Sequence, residues 1–556
     1  MEYASLLEAT MNPQWLQTYD PLGNVALSTF AAAVPALTLF FFLAVRRTPA
    51  WRAAAYGFIA AVVLAFAVFG MPGRMIAGAV TNGLIYGWIR IAWTVVAAVF
   101  VYDIAVATGQ FEVMKRSIKM IASDARLQAL LIAFAFGALL EGSGGAGAPI
   151  AVTAAMMIGL GFPPFQTAVL CLLANSAPVA FGGLGNPIRT LAVVTGLPEM
   201  HFSAMVGRIL PLTTLFLPFW LIRMMAPTRA TFAVWPGLLA TGVAFGGIQF
   251  FWSNYMDAAL VDIIGGIGTL VILAVFFGKV WRPSDGWQGE GFMVKMDQHD
   301  EQHPTLKQTI VAWSPFLLLS VFVVVWGVPA VTRLLDTVSI KMPMPGLHLG
   351  VVRQPPAVSA PYAEPAILDF AWLSAVGTGT FLSGLLAGRL LGLSWKATFG
   401  VFNQTMHRLR YSVIAIMAML SLGYLTRYSG MDATLGLALA RTGVLFPLFG
   451  TLIGWLGVAL SGTDAGSNAL FGSLQVITAN KLGLSPILMG AANSAGGVMG
   501  KMVAAQSLVI ACAATGQEGK EGLLFRKIAV HSLVLAVVVG LIVLMYAYVF
   551  PGAIPR

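Results

Sequence analysis

The chain has 556 residues, 58% of them hydrophobic and only 10% charged, with a formal net charge of +10. A soluble domain carries roughly 25% charged and 45–50% apolar residues, so this composition excludes an ordinary soluble protein and describes an integral membrane one. The positive balance belongs to the Lys and Arg that collect in cytoplasmic loops, and no nucleic-acid partner is expected.

Met1–Asn24 is mixed and polar, with acids at Glu2 and Glu8, and does not read as a leader peptide. A spanning helix needs about 20 mostly apolar residues. Such stretches lie at 26–45, 53–72, 88–109, 127–141, 209–226, 231–251, 259–277, 309–327, 368–388, 411–426, 442–460 and 528–549. Glycine-rich regions between them add broken or re-entrant pieces. The expectation is an all-α polytopic protein with about 12–14 crossings. Basic residues cluster at Arg46–Arg52, Lys115–Arg126, Arg223–Arg229, Lys279–Arg282, Arg389–Arg410 and Lys520–Lys527. All of these can be cytoplasmic at once, which places 73–87, 198–205, 252–258 and the Pro-rich 328–367 outside. The alternation of apolar and basic residues over 111–126 suits an interfacial helix.

Two stretches are organised alike. Leu139–Ile188 and Leu460–Ser507 share three anchors: Gly142-Ser143 with Gly462-Thr463, Gly161/Pro164 with Gly483/Pro486, and Ala-Asn-Ser-Ala at 174–177 and 492–495. The charge assignment sends the two copies through the membrane in opposite directions, the inverted-repeat plan of secondary transporters. The expected divisions are an N-terminal segment with the first helix (1–52), a first repeat (53–230), linking helices (231–281), a cytoplasmic linker (282–308), a linking helix with a long external loop (309–367) and a second repeat (368–556). His299 and His303 fall in the solvated linker and lack the further ligands a metal site needs. Cys171 and Cys512 read as small buried residues, and no metal or cofactor is expected.

In hydrocarbon, backbone leaves the helix only where protein or water satisfies it. Gly142–Pro149 cannot continue a helix well, and Pro149 suits the first turn of a new one. The free N–H groups at such a half-helix start offer a site to a carboxylate, and Gly462–Asn468 repeats the offer. Candidate substrate contacts are Ser143, Gly144, Gly145, Asn175, Ser176, Thr463, Asp464, Ser467, Asn468, Asn493, Ser494 and Lys501. The competing explanation is that the small residues merely let helices approach, and that the amides join helices. Ionisable residues at membrane depth are costly and therefore functional candidates. Glu141 and Asp464 are the candidates for proton coupling, and Lys501 either neutralises a substrate carboxylate or pairs with one of these acids. Asp103, Arg189, Arg208 and His531 sit near helix ends, where they snorkel or pair. No nucleophile–base or metal constellation points to an enzyme.

The motifs GALLEGSGGAGAPIAV, AVLCLLANSAPVAFGGLGNPI, GWLGVALSGTDAGSNALFGSLQ and AANSAGGVMGKMVAAQS resemble the lactate permease family of bacterial 2-hydroxymonocarboxylate transporters. The likeness extends to AWSPFLLL, LSAVGTGT, YSGMDATLGLALARTG and LFRKIAVHS and covers most of the chain. It implies proton-coupled uptake of L-lactate, D-lactate or glycolate across the inner membrane. The rival is a sodium-coupled carboxylate carrier of the same architecture, since broken-helix carbonyls can hold Na⁺ as easily as they frame an anion. The likeness also implies an ion-transporter-superfamily fold and a homodimer. Members often read EGAAGFGTP, GSDTSSNALFG and KMISPQS where this chain has Glu141–Pro149, Gly462–Gly472 and Lys501–Ser507. Hydroxyls and a Phe are thus replaced by Gly or Ala, which implies a roomier pocket with fewer donors.

Overall fold

A computed structural model describes residues 14–42, 46, 48–122, 124–143, 148–282, 287, 304–358, 360–517 and 520–555. The linker histidines lie outside these residues, as do Gly144 and Gly145. By length and apolarity, nine helices among the described residues can cross a membrane, or ten if Pro164–Ala174 and Val179–Thr195, bent by 62°, form one broken span. Four stretches read from the sequence as spans are not among the nine: 26–45 and 53–72 hold the shorter helices Val25–Leu39 and Trp51–Ala67, 231–251 holds Trp235–Tyr255, and 368–388 opens on a strand and holds the 15-residue Val376–Leu390.

The chain begins with α1 (Val25–Phe40) and α2 (Ala50–Ala67). The long α3 (Gly73–Ala107) carries a π-helical segment at Gly87–Ala92. The basic amphipathic stretch forms α4 (Gln110–Lys119), which buries Phe111, Met114 and Ile118. Next come α5 (Ala125–Ser143) and α6 (Ala148–Gly159). Gly161 at φ +89° turns the chain, and Pro164 opens α7 (Pro164–Ala174). A second break leads to α8 (Gly182–Thr195). Then follow α9 (Glu199–Thr214), α10 (Trp235–Tyr255), α11 (Val261–Val280) and α12 (Leu306–Gly327).

The segment read as an external loop is more ordered than expected. It holds α13 (Pro329–Asp336) and two small sheets. β1 (Trp15–Leu16) lies parallel to β3 (Val351–Arg353), which also pairs with β4 (Tyr362–Ala363). β2 (Ile340–Pro343) pairs antiparallel with β5 (Ile367–Phe370). Strands of two to four residues are too short for period-2 alternation to show in the sequence.

The second half comprises α14 (Val376–Leu390), the 35-residue α15 (Trp395–Ser429), α16 (Met431–Leu439) and α17 (Phe446–Ser461). Gly462 at φ +81° ends α17, and Thr463 caps α18 (Asp464–Leu482) by accepting from the Gly466 N–H at 3.0 Å. Gly483 turns the chain at φ +69°, and Pro486 opens α19 (Pro486–Gly500). A break at Lys501–Ala504 precedes α20 (Ala505–Ala514), and α21 (Glu521–Tyr548) follows. Helix, left-handed glycine, Pro-initiated helix, break, helix is thus the order that α6–α8 and α18–α20 share.

Contacts along the helices define two ends. At the basic end, Arg126 binds the Ala230 carbonyl, Arg408 pairs with Asp103, and Trp51 stacks on Tyr411. At the opposite end, Arg427 and Arg353 hold Glu364, and Gln17 bonds the Tyr428 carbonyl. α5 rises from the basic end. α7 begins near that end too, where Gln166 reaches the Met224 carbonyl. α17 descends from the opposite end, where the Val444 carbonyl bonds Tyr548. Of the other end-placed residues, Arg208 bonds Asn254 and the Ala553 carbonyl, Arg189 faces Glu199 at 3.6 Å, and His531 bonds Trp220.

Candidate functional site

The breaks of both halves open on one cavity of about 570 Å³. Glu141, from the last turn of α5, lines one wall. Thr463, Asp464, Ala465 and Gly466, the first turn of α18, line another, and Lys501 closes the floor. Most of the remaining wall is apolar. The mouth lies at the basic end between Trp51, Arg52 and Tyr411, and the Arg52 guanidinium stands 5.1 Å from the Trp51 ring centre.

The polar side chains are held individually. Glu141 is 4% exposed and accepts from Asn175 Nδ2 at 2.9 Å. Asp464 is 3% exposed and accepts from Ser494 Oγ at 2.5 Å, while its other oxygen has no described partner. Lys501, also 3% exposed, donates to the Gly462 carbonyl at 2.7 Å, the acceptor that the α17 break releases. No ion pair within 4 Å joins Lys501 to Glu141 or Asp464 among the described residues, although both are within its electrostatic reach. The ammonium therefore keeps donors free to face the cavity beside two acids.

Other candidates from the sequence serve this site from behind or lie elsewhere. Asn175 and Ser494 reach it through Glu141 and Asp464. Asn493 donates to Asn468 at 2.9 Å and to Ser467 at 3.4 Å, and accepts from Gln475 at 3.1 Å, a network that clamps α18 on α19. Asn468 also bonds the Pro187 carbonyl, joining the two halves. Ser143 and Ser176 bond carbonyls of their own helices, those of Leu140 and Leu173. None of these last five lines the cavity.

Sequence reasoning missed Gly182–Asn186. Gly183, Leu184 and Gly185 take left-handed φ of 53°, 58° and 71°, so the start of α8 is wound against its helix. A Leu held there is strained. At Gly185 a Cβ would stand 2.5 Å from the Ala258 carbonyl oxygen. This turn delivers Asn186 to the cavity wall, 5% exposed and with Oδ1 unpartnered among the described residues. The GGLGNP run was the available signal. No group of three or more His, Cys, Asp or Glu able to hold a metal occurs among the described residues.

Comparison with known proteins agrees with the motifs. The family model described as L-lactate permease matches residues 28–550. Glycolate permease GlcA of Escherichia coli K12 is 43% identical over 97% of this chain and 99% of its own length. An L-lactate permease of Salmonella typhimurium is 42% identical over 97% and 100%. The solved structure of Neisseria gonorrhoeae MtrF aligns over 86% of this chain and 84% of its own, at 13% identity and a TM-score of 0.44, too distant to bear on the site. Matched from end to end by named permeases, this multi-pass membrane protein belongs to the L-lactate permease family.

Proposed function

We propose that this protein carries a small monocarboxylate of the lactate and glycolate class, together with a proton, across the bacterial inner membrane. The observation that carries the reading is the buried Lys501 ammonium facing an apolar-walled cavity between Glu141 and Asp464. The ammonium and the N–H groups opening α18 attract the carboxylate. The unpartnered Asn186 Oδ1 accepts from a 2-hydroxyl. The names of the relatives support the substrate class.

Bringing in a proton with the anion leaves the charge of the site unchanged and avoids about 2.3 kcal/mol per charge per 100 mV of membrane potential. Glu141 and Asp464 are the proton-carrying candidates. Helical hairpins reaching the site from opposite ends support an inverted repeat, and motion of one unit against the other would expose the cavity alternately. A homodimer is the proposed assembly.

Labelled L-lactate, D-lactate and glycolate are offered to proteoliposomes under an imposed proton gradient and, separately, a sodium gradient. Accumulation with the proton gradient alone is expected. Accumulation that follows sodium and ignores the pH step would overturn the coupling.

A further inference from the structure

Asp262, in the first turn of α11, plays no part in the cavity wall, yet it is 0% exposed and neither carboxyl oxygen has a hydrogen-bond partner among the described residues. A buried carboxyl without partners is expensive, and at membrane depth such a group calls for a functional reason. Its neighbour supplies one. Gly142, next to Glu141, packs directly on it: a Cβ on Gly142 would stand 2.7 Å from the Asp262 Cβ and 2.9 Å from the Ile263 nitrogen. Any larger residue at 142 would force the two acids apart.

The elements packed against α11 are α5, α8, α10 and α12. Glu141 is the charged group they bring within electrostatic reach of Asp262 among the described residues. Asp257, five residues earlier, is occupied by Trp252 Nε1 and by the Ala259 and Leu260 amides.

The position along the membrane is equally specific. α10 starts at the basic end, where a Cβ on Gly237 would meet Leu127 and Trp281. α11 returns antiparallel to it, so Asp262 lies at the far end, about 28 Å from Trp281 at 1.5 Å per residue. The cavity opens at the basic end. Glu141 therefore stands between the cavity and Asp262.

We propose that Asp262 is a second proton carrier, which passes a proton to Glu141 and is itself reprotonated from the membrane face opposite the cavity mouth. In the transfer, the O–H bond of the Asp262 carboxyl breaks as one forms on the Glu141 carboxylate. The ionised Asp262 then takes its next proton from hydronium at that face. This relay rests on the proton-coupled reading above.

The test uses the full chain in proteoliposomes, with labelled L-lactate and glycolate as probes and two assays: uptake driven by an imposed pH gradient, and counterflow exchange at equal pH. Exchange never requires the proton to leave, so a relay acid matters to the first assay far more than to the second. For Asp262→Asn, which loses no described hydrogen bond, the ratio of gradient-driven uptake to exchange falls at least tenfold, and Asp262→Glu restores part of it. An unchanged ratio in a folded Asp262→Asn overturns the relay, and should that variant misfold, an unchanged ratio in Asp262→Ser overturns it equally. If the wild-type protein exchanges substrate but ignores the pH gradient, the proton-coupled reading itself fails.

Discussion

The Lys501 ammonium has three N–H donors and one described acceptor, the Gly462 carbonyl. Its remaining donors are the strongest feature of the cavity for an anion. A hydrogen bond to a charged group contributes about 1.5–3 kcal/mol. Lys501→Met, which keeps the length of the side chain and removes the charge, should therefore raise KM for L-lactate about 10- to 100-fold, read from initial uptake rates over a concentration series. At this scale the sequence was informative where a charge interrupts an apolar run: Glu141, Asp464 and Lys501 all face one cavity. Asp262 in VDIIGGIGTL interrupts an apolar run in the same way but was not among the candidates drawn from the sequence. The amides were harder, because Asn175, Asn468 and Asn493 look alike in the sequence. Only the folded arrangement separates the one bonding Glu141 from the two that lock helices together.

Glycines carry the packing of the elements behind the site. A Cβ on Gly454 would stand 2.0 Å from the Asn493 carbonyl oxygen, on Gly496 2.1 Å from that of Thr451, and on Gly500 2.1 Å from that of Trp455. α17 and α19 thus meet backbone to backbone, the role of small residues in membrane helices. Overpacking a tight interface costs about 1–3 kcal/mol. Gly496→Ala should lower the melting temperature in detergent, whereas Gly400→Ala, inside α15 with nothing near its Cβ position, should leave it unchanged or raise it slightly. The break at Gly462 was legible because glycine interrupts helices for backbone reasons alone, whereas the one expected over Gly142–Pro149 falls largely outside the described residues. The strands β2–β5 were not legible, since paired runs of two to four residues are too short to leave a local pattern.

At the scale of the molecule, the end opposite the cavity mouth is fastened by Glu364, 2% exposed, whose carboxylate meets Arg353 and Arg427 at 2.6 Å each. Arg427 also donates to the Val194 carbonyl, so the loop sheet, α15 and the C-terminus of α8 share one knot. Burial pushes the Glu364 carboxyl up, but the Arg427 and Arg353 charges outweigh it and hold the group below its ordinary value of 4.5. A carboxyl depressed in the folded state stabilises fully above its unfolded value, and that stabilisation is lost as pH falls through the folded one. Melting temperature should therefore drop on acidification below about pH 4.5. Glu364→Gln should melt lower at neutral pH, by a cost of about 3 kcal/mol, and should lose part of this acid dependence.

The cavity also makes the whole molecule directional. Its mouth lies among Trp51, Arg52 and Tyr411, at the end where basic residues gather, and the charge rule predicts that this end faces the cytoplasm. Toward the other end it is closed, with Ala258 only 1% exposed and its carbonyl set against Gly185. Both native cysteines, Cys171 and Cys512, are buried, so a single introduced thiol dominates labelling. Ser412 lines the mouth and is exposed. Ser412→Cys should react with a membrane-impermeant maleimide in inside-out vesicles and resist it in right-side-out ones, while Ala258→Cys should be slow in both. Saturating L-lactate should change the Ser412→Cys rate several-fold by altering the share of molecules open to the cytoplasm, because a ligand shifts such an equilibrium only by its differential affinity for the two states. Equal labelling of Ser412→Cys from both sides, indifferent to substrate, would mean that the cavity is not one face of an alternating site.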